Sequence, residues 1–190
     1  MRAFKFLLLV IFFLPLVAHS QEDKRIDEIK AHFSEWQPII RAELKNAPVI
    51  YEYSWGDHYQ YSEWTTHEIK SEEKFLTERN MVIRKKNGSF VYREIYSFSG
   101  DWFVVSESYY GENGKLFFLF WTMNTFQAME PATVEKRLYF DKMGKIIRSL
   151  QDVYKMNTKQ KQDISFMDHD VLYQAEFKDL PFYGYLPKYP

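Results

Sequence analysis

The sequence predicts an α+β fold, in which an N-terminal helix packs on a curved antiparallel β-meander of six to nine strands. Three observations support this prediction. The spacing of apolar residues changes once, after Pro48, from a period near 3.6 to a period of two. Turn residues then recur at short intervals, which is typical of consecutive hairpins. Aromatic residues, which favour strands, make up 19% of the chain.

Residues 1–20 have the features of a secretory signal peptide. Arg2 and Lys5 provide a basic start, an apolar run covers residues 6–17, and Ser20 ends a short segment of small residues. The apolar run is too short to span a bilayer, and polar residues follow it at once. We therefore expect cleavage after Ser20 and a soluble exported product, periplasmic or extracellular, with no membrane span after cleavage.

Residues 21–190 fit one domain, for which we expect a single α+β unit with an extended Pro/Tyr-rich C-terminal strap. The chain has no cysteine, which excludes disulfides and a lipid-modified cysteine. The formal net charge of −1 leaves no basic excess for a phosphate backbone, so no nucleic-acid partner is expected. The expected partner is an unidentified small molecule, glycan or protein, and assembly into an oligomer stays open.

The first element after the signal peptide is predicted to be a helix over residues 23–46. Its apolar stripe has spacings of three and four and consists of Ile26, Ile29, Phe33, Trp36, Ile40 and Leu44. Pro38 lies inside this pattern and removes one backbone donor, so the helix should kink or split near Gln37. Asn46 and Pro48 mark its end.

The rest of the chain has the pattern of hairpins. The first pairs residues 49–55 with 58–63 across a Gly-Asp turn, while residues 68–79 fit either a charged strand or a short helix. Later turns are predicted at Asn87-Gly88, Ser99-Gly100-Asp101, Asn113-Gly114, Glu130-Pro131 and Met143-Gly144. The Asn-Gly pairs favour tight primed turns. Residues 151–163 are predicted to form a solvated loop or short helix, and a last strand is expected around 171–173.

The segment from Leu116 to Trp121 is apolar at every position, so we expect a central strand that is buried on both faces. Strict alternation would place Leu116, Phe118 and Phe120 on one face and Phe117, Leu119 and Trp121 on the other. The N-terminal helix can cover one of these faces. The other needs a curled sheet, the C-terminal strap or another protomer.

Two of the predicted hairpins match each other. SESYYGENGKLFFLFW and EKRLYFDKMGKIIRSL share two adjacent aromatic residues, three turn residues, glycine, lysine and an aliphatic residue. A looser third copy spans residues 85–90. The pattern Y-[YF]-x-x-x-G-K-[LI], behind a signal peptide and a helix, resembles exported bacterial proteins of unassigned function. The unit is also similar to the strand-turn-strand motif of MORN-like repeats. This resemblance, over about residues 80–150, implies a fold and a compartment but no chemistry.

The first hairpin carries the candidate binding residues, which are the aromatic side chains of Trp55, Tyr59, Tyr61 and Trp64. Exposed rings with nearby polar groups can stack on a ligand such as a glycan. The competing interpretation is a cross-strand aromatic cluster that faces the core. The sequence therefore predicts a binding module that uses an aromatic surface.

The alternative prediction is a periplasmic or secreted hydrolase that uses His58, His67 and a nearby carboxylate as a general acid–base site. The sequence contains no nucleophile motif, phosphate-binding loop or zinc signature, so we predict no catalytic residue, metal or cofactor. Asp168-His169-Asp170 is interpreted as an acidic turn, because adjacent residues of a strand point to opposite faces. Enzymatic activity is thus left open, with binding favoured.

Overall fold

The computed structural model describes the backbone of residues 3–44, 47, 49–55, 58–61, 75–97, 101–126, 130–163, 170–181 and 183–185. Within these ranges it describes the side chains from Gln21 onward, except at 49, 51–55, 58–61, 75–77 and 185. The described residues form one long helix and a nine-stranded antiparallel sheet, which confirms the predicted α+β fold.

The helix is α1 (Ala3–Glu43), and the strands follow it in chain order. They are β1 (Val49–Trp55), β2 (His58–Tyr61), β3 (Phe75–Arg84), β4 (Phe90–Tyr96), β5 (Trp102–Tyr110), β6 (Leu116–Thr125), β7 (Ala132–Phe140), β8 (Ile146–Lys155) and β9 (Lys161–Gln162). The spatial order is β2-β1-β3-β4-β5-β6-β7-β8-β9, so every pair of neighbouring strands is consecutive in the chain except β1 and β3. Single-turn 3-10 helices follow at Phe177–Asp179 and Tyr183–Tyr185.

The bounds of α1 differ from the predicted 23–46. The helix begins at Ala3, inside the predicted signal peptide, and ends at Glu43. Of the predicted kink or split near Gln37, the split does not occur, because the helix continues through Pro38. Pro38 lies on the exposed side, where water can bind the carbonyl that loses its helical partner.

The apolar stripe of α1 packs on one face of the sheet, which we call the helix face. Ile26, Ile29, Trp36 and Ile40 are all buried, and Phe33 and Leu44 are partly buried against the same cluster. Their sheet partners are Met81, Ile83, Val91, Tyr109, Phe117, Phe118 and Tyr139. This contact confirms the predicted stripe and covers one side of the central strands.

Three hairpin turns at one end of the sheet have the same backbone geometry. Gly88, Gly114 and Gly144 have φ of 89°, 72° and 86°, and each donates its N–H to the carbonyl three residues earlier. The primed turns predicted for the Asn-Gly pairs are wrong, because Asn87 and Asn113 do not have positive φ. Each turn is instead a four-residue bend that ends in a left-handed glycine, the arrangement of a G1 bulge. The match that the sequence shows between the hairpins is therefore also a match in structure.

Strand β6 is buried on both faces, as predicted, but its faces do not alternate strictly. Tyr110 pairs with Leu116 and Tyr109 pairs with Phe118, so Phe117 is an extra residue in the ladder. Beyond this bulge Leu119 and Trp121 lie on the same face as Leu116, while the helix face receives Phe117, Phe118 and Phe120. The predicted assignment of Leu116 and Phe117 to faces is wrong, because a bulge inverts the parity of the residues before it.

Two predictions for the C-terminal third are wrong. Residues 151–155 continue β8 in register with β7, and residues 161–162 form β9, so 151–163 is not simply a loop or short helix. The segment has the pattern of a solvated loop because this strand lies near the sheet edge, where nine of its ten side chains are exposed or partly exposed. Residues 171–173 form no strand. For residues 68–79, where the sequence leaves a charged strand and a short helix both open, residues 75–79 form the start of β3, and residues 68–74 lie outside the described residues.

The C-terminal residues pack on the second face of the sheet, which we call the tail face. Phe177 and Leu180 are buried in one cluster with Phe90, Tyr110 and Leu116. Backbone hydrogen bonds join Leu116 N–H to the Ala175 carbonyl at 2.9 Å and Phe177 N–H to the Gly114 carbonyl at 2.9 Å. This tail segment, residues 174–180, is the layer that covers the second face of β6 at the turn end.

Candidate functional site

A polar cluster lies on the tail face, in the middle of strands β3, β4 and β5. It consists of Glu78, Asn80, Tyr92, Glu94 and Ser106, and we call it the tail-face cluster. Alternation places these residues on the face opposite α1, together with the buried Val82 and Val104. The cluster interrupts an otherwise apolar face, which makes it the most informative polar feature of the described sheet.

Register and hydrogen bonds hold the cluster together. Glu94 pairs across the ladder with Asn80 on one side and with Ser106 on the other. The Tyr92 hydroxyl donates to Asn80 Oδ1 at 2.7 Å, and Asn80 Nδ2 donates to Glu78 Oε1 at 2.6 Å. Asn80 is fully buried, so both of its hydrogen bonds form away from solvent. The amide therefore fixes the position of one carboxylate and one tyrosine.

Burial, and after it the charge of Glu78, raises the pKa of Glu94 from 4.5 to about 7. The nearby hydroxyls of Ser106 and Tyr92 oppose this shift, but none of the groups that move the pKa is a cation. On the same strand Arg93 faces the other way and pairs with Glu107 at 3.0 Å. Two carboxyl groups thus share one site, and Glu94 is partly protonated at neutral pH.

Lys136 lies on the tail face in the cross-strand row that contains Glu94 and Ser106. It lies opposite Trp121 on β6, which itself lies opposite Ser106. Lys136 is therefore three strands from Glu94, about 14 Å away at the usual strand spacing. At that distance it contributes little to the local charge balance.

Ser106 is the second unusual member of the cluster. The residue is 3% exposed, and its hydroxyl makes no hydrogen bond of strict geometry, although it lies near enough to the Glu94 carboxyl to oppose the rise in its pKa. Ser106 therefore presents a buried hydroxyl directly beside Glu94.

Aromatic rings stand beside the cluster. The Trp121 indole N–H donates to the Tyr96 hydroxyl, whose pKa is raised by burial and by the charges of Glu94 and Glu78. The Tyr96 ring also meets Trp102 edge-on, with centroids 6.1 Å apart. Glu78, Glu94 and Tyr96 are all partly exposed, so solvent reaches the cluster past these side chains. The arrangement can bind a molecule that has hydrogen-bond donors on one side and an apolar surface on the other.

A cavity of about 400 Å³ lies elsewhere, between α1 and the three glycine turns. Its charges are compensated within the protein. Lys85 Nζ lies 3.6 Å from Glu35 Oε2 and 4.3 Å from the centre of the Trp36 ring, and Lys115 Nζ lies 3.5 Å from Glu176 Oε1. We therefore place the candidate site at the tail-face cluster, where burial and a neighbouring carboxylate raise the pKa of Glu94 to about 7.

The predicted binding residues belong to the first hairpin. The backbones of Trp55, Tyr59 and Tyr61 lie in β1 and β2, which pair as predicted, but their side chains and the whole of Trp64 lie outside the described residues. The backbone register places Tyr61 opposite Glu52, and Glu52 opposite Glu78 of the tail-face cluster. The predicted aromatic hairpin is therefore the sheet neighbour of the cluster.

The residues of the alternative prediction and the acidic turn cannot be placed around a site. The backbone of His58 lies in β2, whereas its side chain, His67 and residues 168–169 lie outside the described residues. Among the described residues, no group of three or more potential His, Cys, Asp or Glu ligands is arranged to hold a metal ion. Within the described part of the chain, no helix combines the length and the apolar character that a membrane span requires.

Sequence reasoning missed the tail-face cluster. The available signal was the strand FVYREIY, in which Phe90, Tyr92, Glu94 and Tyr96 share one face by alternation. A single carboxylate among three rings on one face indicates a buried acid, because an exposed face would carry several polar residues. Comparison with known proteins finds no family model, curated protein or solved structure that matches this chain.

Proposed function

We propose that the protein is an exported binding module that holds its ligand at the tail-face cluster. The observation that carries this proposal is the buried carboxyl of Glu94, whose pKa is raised to about 7, with the buried hydroxyl of Ser106 and the rings of Tyr96 and Trp121 beside it. Such a combination of buried polar groups and aromatic walls is typical of ligand sites. The ligand is a small molecule, a glycan or a segment of a protein.

The proposal includes export by cleavage after Ser20. The basic start and the apolar run of residues 6–17 support it. The proposal also includes the predicted aromatic hairpin, because β1 lies next to β3 in the sheet. Tyr59 and Tyr61 share the face of Glu52 in the backbone register and would then extend the binding surface beyond Glu78, whereas Trp55, opposite His58, belongs to the other face. Trp64 stays a predicted binding residue.

Ser106→Ala tests the proposed site. The protein, purified after export, is screened against immobilised glycans and a small-molecule library, and any ligand is then titrated against the variant. We expect weaker binding with little change in stability, because the lost hydroxyl makes only a poorly aligned contact with Glu94. Ser108→Ala is the matched control, since Ser108 is a buried serine on the same face of the same strand. Equal loss of affinity in both variants, or in neither, would contradict the site.

A hydrolase is a second candidate, because one observation favours it. A carboxyl that keeps its proton near neutral pH beside a second carboxylate is the pair that glycoside hydrolases use as acid and base or nucleophile. In that case Glu94 would be the acid and Glu78 its partner, in place of the predicted His58 and His67. Release of nitrophenol from chromogenic glycosides, abolished in Glu94→Gln, would favour the hydrolase over the binding module.

A further inference from the structure

Two of the three glycine turns contain an Asn-Gly pair, which has the atoms for a reaction with itself. Glycine has no side chain, so its backbone nitrogen can approach the side-chain carbonyl carbon of the preceding asparagine. The pairs are Asn87-Gly88 and Asn113-Gly114, whereas the third turn has Met143 in place of the asparagine. Both asparagines are exposed, and their turns have the same geometry. Any difference in reactivity therefore has to come from the groups that hold each side chain.

The backbone protects both pairs equally. Gly88 donates its N–H to the Lys85 carbonyl at 3.0 Å, and Gly114 donates to the Gly111 carbonyl at 2.9 Å. A nitrogen whose proton is held in this way reacts only when the turn opens locally. Each asparagine also accepts a hydrogen bond at Oδ1 from the backbone N–H two residues later, at 3.1 Å in both turns. The main chain thus gives neither pair an advantage.

The Asn87 side chain is held by two further hydrogen bonds. Its Nδ2 donates to Glu112 Oε1 in the neighbouring turn at 2.8 Å, and its Oδ1 accepts from Ser89 Oγ at 2.7 Å. The bond to Glu112 is assisted by the charge of the carboxylate, which makes it stronger than a bond between neutral groups. Both bonds have to break before the amide can rotate toward the Gly88 nitrogen.

The Asn113 side chain has no such anchor. Its amide nitrogen makes no hydrogen bond with the described residues, and the Lys115 N–H is the donor to its Oδ1. Once the turn opens, the amide can rotate toward the Gly114 nitrogen at little cost. We propose that Asn113-Gly114 is a site of spontaneous deamidation and isoaspartate formation, and that its contacts protect Asn87-Gly88 from the same reaction.

The reaction needs only water. The Gly114 nitrogen loses its proton and bonds to Asn113 Cγ, while the Cγ–Nδ2 bond breaks and the amide nitrogen takes up a proton and leaves as ammonia. Water then hydrolyses the cyclic succinimide at either of its two carbonyl carbons. One product is aspartate with a normal backbone. The other is isoaspartate, in which the main chain runs through Cβ and Cγ and is longer by a methylene group.

Isoaspartate at position 113 is expected to loosen the tail segment. The Gly114 carbonyl directly follows the altered link and accepts the Phe177 N–H at 2.9 Å. The next backbone bond to the tail joins Leu116 N–H to the Ala175 carbonyl at 2.9 Å. An added methylene group displaces Gly114 from its place beside the tail, so the bond from Phe177 is lost first. The tail segment should then detach more often from the sheet.

Ageing of the purified protein tests the site. The protein is incubated at pH 8 and 37 °C and digested with trypsin, which separates the two asparagines because Arg93 lies between them. Mass spectrometry of the peptides measures deamidation, and labelling with isoaspartyl methyltransferase measures isoaspartate. We expect the rate at Asn113 to be about tenfold higher than the rate at Asn87, since a charge-assisted hydrogen bond holds only the latter.

Glu112→Ala removes the acceptor that anchors the Asn87 amide. The rate at Asn87 should then rise severalfold toward the rate at Asn113. Glu35→Ala is the matched control, because Glu35 is an exposed carboxylate at the same end of the molecule whose partner is Lys85. It should leave both rates unchanged. Equal rates at the two asparagines of the unchanged protein, or an unaltered rate at Asn87 in Glu112→Ala, would overturn the proposed protection.

Hydrogen exchange tests the effect on the tail segment. Peptides that cover residues 174–180 should exchange faster in aged than in fresh protein. Aged Asn113→Gln should keep the slow exchange, because glutamine closes its larger ring much more slowly. Fresh Asn113→Asp should also exchange slowly, since it has the new charge but a normal backbone.

The same measurements can contradict the coupling. Slow exchange in protein that carries isoaspartate at position 113 means that the turn does not control the tail. Fast exchange in aged Asn113→Gln assigns the loosening to another change in the chain, and fast exchange in fresh Asn113→Asp assigns it to charge.

Discussion

The charge state of Glu94 couples the stability of the sheet to pH. Its pKa is 4.5 when the chain is unfolded and about 7 in the fold, so the native state binds more protons between these values. The free energy of unfolding therefore falls as the pH rises from about 4.5 to 7. Above pH 7 the carboxylate is ionised and poorly hydrated in the fold, and the destabilisation reaches its full size. Because Glu94 is partly exposed, about 3 kcal/mol is an upper limit for this penalty.

Glu94→Gln is expected to remove this penalty. The variant should be more stable than the unchanged protein at pH 8, by up to about 3 kcal/mol, and closely similar at pH 4.5. Urea unfolding at both pH values measures the difference, since the midpoint shifts with the free energy of unfolding. A difference between the two proteins that stays constant over this pH range would contradict the pKa of Glu94.

Single glycines set the bend of each hairpin turn. Gly114 has φ of 72° with open space where a Cβ would stand, so Gly114→Ala tests backbone strain without a clash. The left-handed conformation costs an L-residue about 1–2 kcal/mol, which is the expected loss of stability. Gly184→Ala is the control, because Gly184 also has open space but no positive φ. A loss of the same size in both variants would show that strain at Gly114 is not the cause.

At the scale of elements, β6 contributes buried side chains to both the helix face and the tail face of the sheet. Phe118 is 3% exposed and meets Phe33 at 5.1 Å and Tyr139 at 5.0 Å between ring centres. Phe118→Ala should lower the free energy of unfolding by about 3–5 kcal/mol, as other large-to-small core substitutions do. Phe103→Ala, at a residue that is 38% exposed, should cost less than about 1 kcal/mol. Chemical denaturation measures both, and a small loss at Phe118 would mean that the helix face repacks.

The sequence was a good guide to elements because turn residues and apolar periodicity are local signals. The stripe from Ile26 to Ile40 and the turns at Gly88, Gly114 and Gly144 needed no knowledge of distant contacts. The bulge at Phe117 could not be predicted, since its position depends on how β5 and β6 pair. The tail-face cluster was missed for the same reason, because Glu78 and Glu94 meet only when β3 and β4 are in register.

For the whole molecule, the proposed export predicts a defined mature N-terminus. Intact-mass measurement of the protein from the periplasm or medium of an expressing bacterium should give a chain that begins at Gln21. The mature helix would then span residues 21–43, which still contains the whole buried stripe of α1. A product that keeps Met1, or one found in the membrane fraction, would show that residues 1–20 are not a cleaved signal.

The attachment of the tail segment also sets an order of events during synthesis. The Tyr110 hydroxyl donates to the carbonyl of Gln174, 64 residues later, and Phe177 closes over Phe90 and Tyr110. A ribosome or translocon delivers the chain from its N-terminus, so the rings of Phe90 and Tyr110 emerge long before Phe177, which covers them. Until Phe177 packs, these two rings form an exposed hydrophobic patch on a sheet that is otherwise nearly complete. A chaperone that binds unfolded chains would bind these exposed rings. A nonsense mutation near the 3′ end of the coding sequence would leave them permanently uncovered.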